Sequence, residues 1–199
     1  LLAALVAAGA RLDAQAAVDR TADRLAPIIE SVSSARLEST VRALVGFGTR
    51  HTLSDTLSRT RGIGAARRWV RAEFERISHE CGGCLEVLDV AEVFEGLPRV
   101  PGPTNVVSIV AIQRGHSDPD RFVLLSGDLD SRVSDIMNAV DSSPGANDNA
   151  SGVAAVLEAA QVLSARRFRG SIVYAALSGE ENGLLGGQTV AALAAARGW

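Results

Sequence analysis

The sequence predicts an α/β fold, a mixed β-sheet sandwiched by helices. Three observations carry this expectation. The segment Ala150 to Ala165 has apolar residues at helical spacing, and Gly183 to Ala196 reads as a second helix. Between them "GSIVYAALSG" is a continuous apolar run with glycine at both ends, the pattern of a buried strand. Strand, helix, strand, helix from Phe122 onward implies a parallel β-α-β unit.

The earlier elements follow from the same rules. From Ala17 to about Phe47 apolar residues recur at helical spacing, with a break near Ser33 and Ser34, so two helices are expected. "GFGTRHTLSDTLSRTRG", Gly46 to Gly62, reads as loop. Gly64 to about Ile77 is helical again, with Ala65, Trp69, Val70, Phe74 and Ile77 on one side. "CLEVLDVAEVFEG" alternates as a strand does. "TNVVSIVAI" and "RFVLLSG" are two more strands, and the short polar connector "QRGHSDPD" predicts that they pair as an antiparallel hairpin. "SRVSDIMNAVDSSPGANDN" is a long loop.

Composition excludes some functions. The chain of 199 residues has a net charge of −3 and 4% aromatic residues, with no basic block interleaved with aromatics. A nucleic-acid-binding surface has no support in such a sequence. Residues 1–16 begin with the apolar run "LLAALVAAG" and continue into Ala14 and Ala16 in an Ala-x-Ala pattern. They read as the remnant of a signal peptide, which makes the protein secreted or periplasmic. The run is too short to span a bilayer. Cys81 and Cys84 form a Cys-x-x-Cys pair, which can be redox-active, metal-binding or a small disulfide. No second pair completes a zinc knuckle, and the pair follows a helix instead of opening one. In an exported protein a local disulfide is the expected state.

The chemistry is expected where ligands bind in open α/β sheets, beyond the carboxyl ends of the strands. Asp128 and Asp130 follow one strand, Asp148 precedes a helix, and Glu180 and Glu181 follow another strand. Asp148, Glu180 and Glu181 could each simply favour a helix N-terminus. Gathered at one sheet edge without basic partners, these carboxylates instead call for a divalent cation.

"LLSGDLDS", "SPGANDNASGVAAVLEAAQVL" and "GSIVYAALSGEENGLLGG" together resemble the co-catalytic two-zinc aminopeptidases. That family also holds glutamate carboxypeptidase-like proteins and glutaminyl cyclases. The resemblance runs from about Asn105 to Gly187 and implies a zinc-exopeptidase-like fold, with residues 17–199 as the N-terminal part of one catalytic domain. It implies that Asp148 bridges two metals, that Glu181 is a ligand of one, and that Glu180 is the general base. It also implies a cis peptide between Asp148 and Asn149. Asp130 takes the place of a carboxylate that orients the first ligand. Position 128 departs from the pattern: the family has histidine there and this chain has aspartate. Asp128 is then an oxygen ligand, and its ion is expected to be zinc held weakly, or Mn²⁺ or Mg²⁺. An Asp and a His ligand are implied downstream of Trp199, so the chain reads as truncated at the C-terminus. His51, His79 and His116 match no ligand position and read as surface residues. The implied substrate is a peptide with a free amino terminus. Two other readings stand beside it, a catalytically silent binding ectodomain and a one-zinc acyltransferase of the glutaminyl-cyclase type.

Overall fold

The computed structural model describes residue 23 and residues 25–199. The expected signal-peptide remnant, 1–16, lies outside the described residues. The chain divides into two units at Val32 and Ser33. Residues 25–30 of the first are helical. Among the described residues no helix is long and apolar enough to cross a membrane.

The second unit begins with helix α1, Ser34–Gly46, where the expected break falls. Ser33 is its N-cap, and the hydroxyl accepts a hydrogen bond from the Arg36 N–H at 3.2 Å. Helix α2, Gly62–Glu80, carries Ile63, Val70, Phe74 and Ile77 on its buried face. Cys81 and Cys84, just beyond it, are joined in a disulfide. Strands β1, Leu85–Phe94, and β2, Thr104–Gln113, follow. Then come β3, Phe122–Asp128, helix α3, Ser151–Leu163, strand β4, Ser171–Leu177, and helix α4, Leu185–Ala196. A single π-type turn, Ala146–Ala150, leads into α3.

The sheet order is β1-β2-β4-β3. β1 and β2 form the antiparallel hairpin, β2 and β4 are antiparallel, and β3 and β4 are parallel. The parallel β-α-β unit is as expected. The expected hairpin of β2 with β3 is not formed, because β4 lies between them. Burial explains the exchange. Ile172 to Ala176 of β4 are all buried, so this strand needs a neighbour on each side and helices on both faces. β3 leaves Val123 and Leu124 more than half exposed, which suits an outer position.

The two faces of the sheet collect different cores. Ile109 and Ala111 of β2 join Tyr174 and Ala176 of β4 under α1, α2 and α3. Val110 and Ile112 join Val173 and Ala175 on the opposite face, with Val190 of α4. This is the period-2 alternation of a strand buried on both sides. Each fully buried Val, Ile or Leu contributes about 1.5–3 kcal/mol.

Candidate metal centre

The parallel pairing brings the carboxyl ends of β3 and β4 to one edge. Asp128, the last residue of β3, lies opposite Leu177, the last of β4. The Leu129 N–H donates to the Leu177 carbonyl at 2.6 Å and extends the register by one step. The π-type turn reaches the same edge because β3 and α3 approach closely. A Cβ on Gly127 would lie within the backbone of Gly152 and Val153, so only glycine permits the contact. Asp148, in that turn, is thereby held near the end of β3. The Asp148–Asn149 peptide is cis, as the resemblance implied.

Electrostatics show which carboxylates gather. The Asp128 carboxyl is pushed above its usual range, first by burial and then by the charges of Asp130, Asp148 and Glu181. The Glu180 carboxyl is pushed up by burial, then by Glu181, Asp128, Asp130 and Asp148. Asp128 and Glu180 therefore both feel the charges of Asp130, Asp148 and Glu181 at this edge. The alternative role, helix capping, is not realised for the two glutamates: α4 has no acidic residue in its first turn, and no side chain caps it.

Asp130 is nearly sealed from solvent, at 2% exposure. Its Oδ2 accepts the Thr52 hydroxyl at 2.8 Å and the Glu181 N–H at 3.2 Å, and its Oδ1 accepts the Glu180 N–H at 3.1 Å. Burial still drives its carboxyl upward against these bonds. Asp130 thus holds the turn that carries both glutamates. The turn closes on itself through Gly183 and Leu184 N–H groups, which donate to the Glu180 carbonyl at 3.0 Å.

The expectation that these acids lack basic partners is overturned. Arg132 Nε donates to Glu181 Oε2 at 2.5 Å. Two buried arginines also face Asp130 electrostatically, Arg50 and Arg67. Arg132 is two residues past Asp130, so the loop that leaves β3 brings its own cation back to the glutamate turn.

Sequence reasoning missed Arg50 and misplaced His51. Arg50 is 1% exposed. Its guanidinium donates to the carbonyls of Leu129, Leu44, Pro144 and Gly145 at 2.8–3.1 Å. It ties the end of β3 to the segment leading to Asp148. Burial lowers its pKa to about 10, opposed by the charge of Asp130. His51 is fully buried, not a surface residue. Its Nδ1 accepts the Leu53 N–H at 3.1 Å, and Nε2 donates to the Ile136 carbonyl at 2.9 Å. The carbonyl can only accept, which fixes the tautomer. Periodicity marks neither residue, because "FGTRHT" has no period and the partners Leu129 and Ile136 lie 79 and 85 residues away. His79 and His116 are exposed, as expected.

The described residues fit a metal in kind but not in number. Asp128, Asp148 and Glu181 offer hard oxygen donors whose mutual repulsion a cation would relieve. Among the described residues, however, no three His, Cys, Asp or Glu side chains are placed to hold an ion by themselves. One of Glu181's oxygens is already engaged by Arg132.

A mixed sheet between helices gathers these acids where its parallel strands end, the place where open α/β sheets bind ligands. Residues 106–197 match Peptidase family M28. A probable zinc metalloprotease of Leptosphaeria maculans is 42% identical over 164 residues, which cover 82% of this chain and 38% of that protein. The chain therefore spans well under half the length of this relative. Among solved structures, Legionella pneumophila LapA aminopeptidase superposes with a TM-score of 0.65 at 18% identity, covering 88% of this chain and 42% of LapA. The glutaminyl cyclase of Tannerella forsythia superposes with a TM-score of 0.57 at 20% identity, covering 74% of this chain and 47% of the cyclase. At these identities the two structures establish a shared fold.

Proposed function

We propose that the full-length protein is a secreted, zinc-dependent aminopeptidase that removes N-terminal residues from peptides. The observation that carries this reading is the parallel pairing of β3 and β4, which sets Asp128 opposite Leu177 and ties the Glu180–Glu181 turn to Asp130, with Asp148 close enough to act on both Asp128 and Glu180. The name of the Leptosphaeria maculans relative supports zinc, and the LapA fold supports an exopeptidase. The Cys81–Cys84 disulfide supports an oxidising compartment.

On this reading Asp148 and Glu181 would hold zinc, and Asp128 together with Asp148 would hold a second ion. The second ion is bound more weakly, or is Mn²⁺ or Mg²⁺, because its ligands are all oxygen. Bound zinc supplies Lewis acidity at the scissile carbonyl. Glu180 is the general base. Its backbone N–H is fixed by Asp130. Arg132 engages Glu181 Oε2 and leaves Oε1 for a metal. Among the described residues the donors are too few to hold an ion, so this reading expects no activity from the 199-residue stretch alone.

The test is metal content and aminoacyl-nitroanilide hydrolysis by the full-length protein and its Glu180→Ala variant. The expected result is bound zinc in both and turnover only in the wild type. Wild-type rates in Glu180→Ala would remove Glu180 as the base. A second reading, a silent binding module, is favoured by the Arg132–Glu181 pair and is the one to adopt if the full-length protein takes up no metal.

A further inference from the structure

Behind the glutamate turn, between α2 and the β1–β2 hairpin, lies a separate cavity of about 270 Å³. Its lining includes Arg67, Arg68 and Arg71 from α2, Asp89 from β1, and Val107 and Ile109 from β2. Arg67 and Arg71 are four residues apart, so both fall on the helix face that meets the cavity.

Arg67 is 7% exposed, an unusual place for a guanidinium. Its Nη1 donates to the Asn105 carbonyl at 3.2 Å, and its Nε reaches Ser178 Oγ at 3.5 Å. Its Nη2 is buried and meets no acceptor. A buried donor left unsatisfied on a charged group is unfavourable, and an acceptor there would relieve it. Nearby carboxylates do not supply the missing acceptor. Asp130 is committed to Thr52 and the glutamate turn. Asp89 Oδ1 accepts from Arg71 Nη1 at 2.7 Å, and Glu75 also pairs with Arg71. Arg68 donates to the Thr56 and Ser58 carbonyls. Three guanidinium groups thus border a cavity with one carboxylate in its lining, and the most buried of them has a free donor.

We propose that this cavity binds a small organic oxyanion, a carboxylate or a phosphate on a short apolar stem. The oxyanion lies between Arg67 and Arg71, where planar guanidinium groups suit two oxygens at once. The stem rests on Val107 and Ile109. The volume limits the ligand to a small molecule. Asp89 competes with it for Arg71.

Isothermal titration of the full-length protein with inorganic phosphate and with isobutyrate tests the site and separates the two sources of the anion. At least one probe binds the wild type with a Kd of about 1 mM or tighter. Arg71→Gln weakens that binding about tenfold or more. Asp89→Asn tightens it, because the competing carboxylate is gone. Asp89 is half exposed and Arg71 partly exposed, and both pair only with exposed partners, so neither variant threatens the fold. Absence of binding by both probes overturns the proposal, as does binding that neither variant changes. The direction expected for Asp89→Asn is opposite to that of a residue whose role is only to hold Arg71 in place.

Discussion

Asp130 Oδ1 lies 3.1 Å from the Glu180 backbone nitrogen, across the gap between the ends of β3 and β4. This bond joins two strand ends that are fifty residues apart in sequence. It is one of three that converge on a carboxylate almost sealed from water. Asp130 is therefore the fastener of the acidic edge as much as an orienting group.

Replacing that carboxylate should cost stability as well as function. Asp130→Ala strands the Thr52 hydroxyl and two N–H groups, and it leaves buried Arg50 and Arg67 without the charge they face. The expected loss is about 3–5 kcal/mol. Urea unfolding of wild type and variant measures it. A loss below about 1 kcal/mol would mean the three bonds hold little.

Arg132 competes for Glu181. Removing it as Arg132→Ala frees the carboxylate and takes a positive charge from beside the proposed ion. Zinc affinity of the full-length protein should rise by about threefold to thirtyfold, about 0.7–2 kcal/mol. Competition with a chromophoric chelator reads the change. A fall in affinity would show that Arg132 positions Glu181 for the metal.

Asp128→His should raise zinc affinity at the second proposed site. An imidazole at 128 brings an N–H that the Asp130 carboxylate can accept, which the Asp128 carboxylate cannot supply. The substitution also removes a charge whose own carboxyl is pushed upward by its neighbours. Zinc titration of the metal-free full-length protein should show the weaker of two sites tighten. Two equal sites in the wild type, unchanged in Asp128→His, would remove Asp128 as a ligand.

Glu158 links α3 to the start of α1. Its Oε1 accepts the Ser33 N–H at 2.6 Å and Arg36 Nη2 at 2.6 Å, and Oε2 accepts Arg36 Nε at 2.8 Å. Burial alone would raise its carboxyl, but the bonds and charge of Arg36 outweigh that and hold it below the usual range. A depressed folded-state pKa contributes stability above the unfolded value of about 4.3, and that contribution is lost as pH falls through the folded value. Glu158→Gln should therefore lower stability by about 1–2 kcal/mol at pH 7 and by much less at pH 3. Urea midpoints at the two pH values measure it. An equal loss at both would assign the effect to packing.

Much of this protein was legible in the sequence because its signals are local. The α3 helix, β4 and the α4 helix follow from hydrophobic spacing and glycine stops. The turn at Ser33, the Cys81–Cys84 disulfide and the five acids at strand and helix ends were likewise readable from short windows. Peptide geometry and the period of burial act over a few residues, so a few residues report them.

Only the tertiary structure decided which strands are neighbours and what balances the acids. A short connector between β2 and β3 suggested a hairpin, but β4, apolar on both faces, takes the place between them. Burial of a whole strand outweighs the closure of one short loop, because burial scales with area and loop closure only with the logarithm of length. Arg132 reaches Glu181 across 49 positions of sequence, and Arg50 reaches Gly145 across 95. Charge pairing depends on distance in space, and the chain order of these residues carries no trace of that distance until the sheet is assembled.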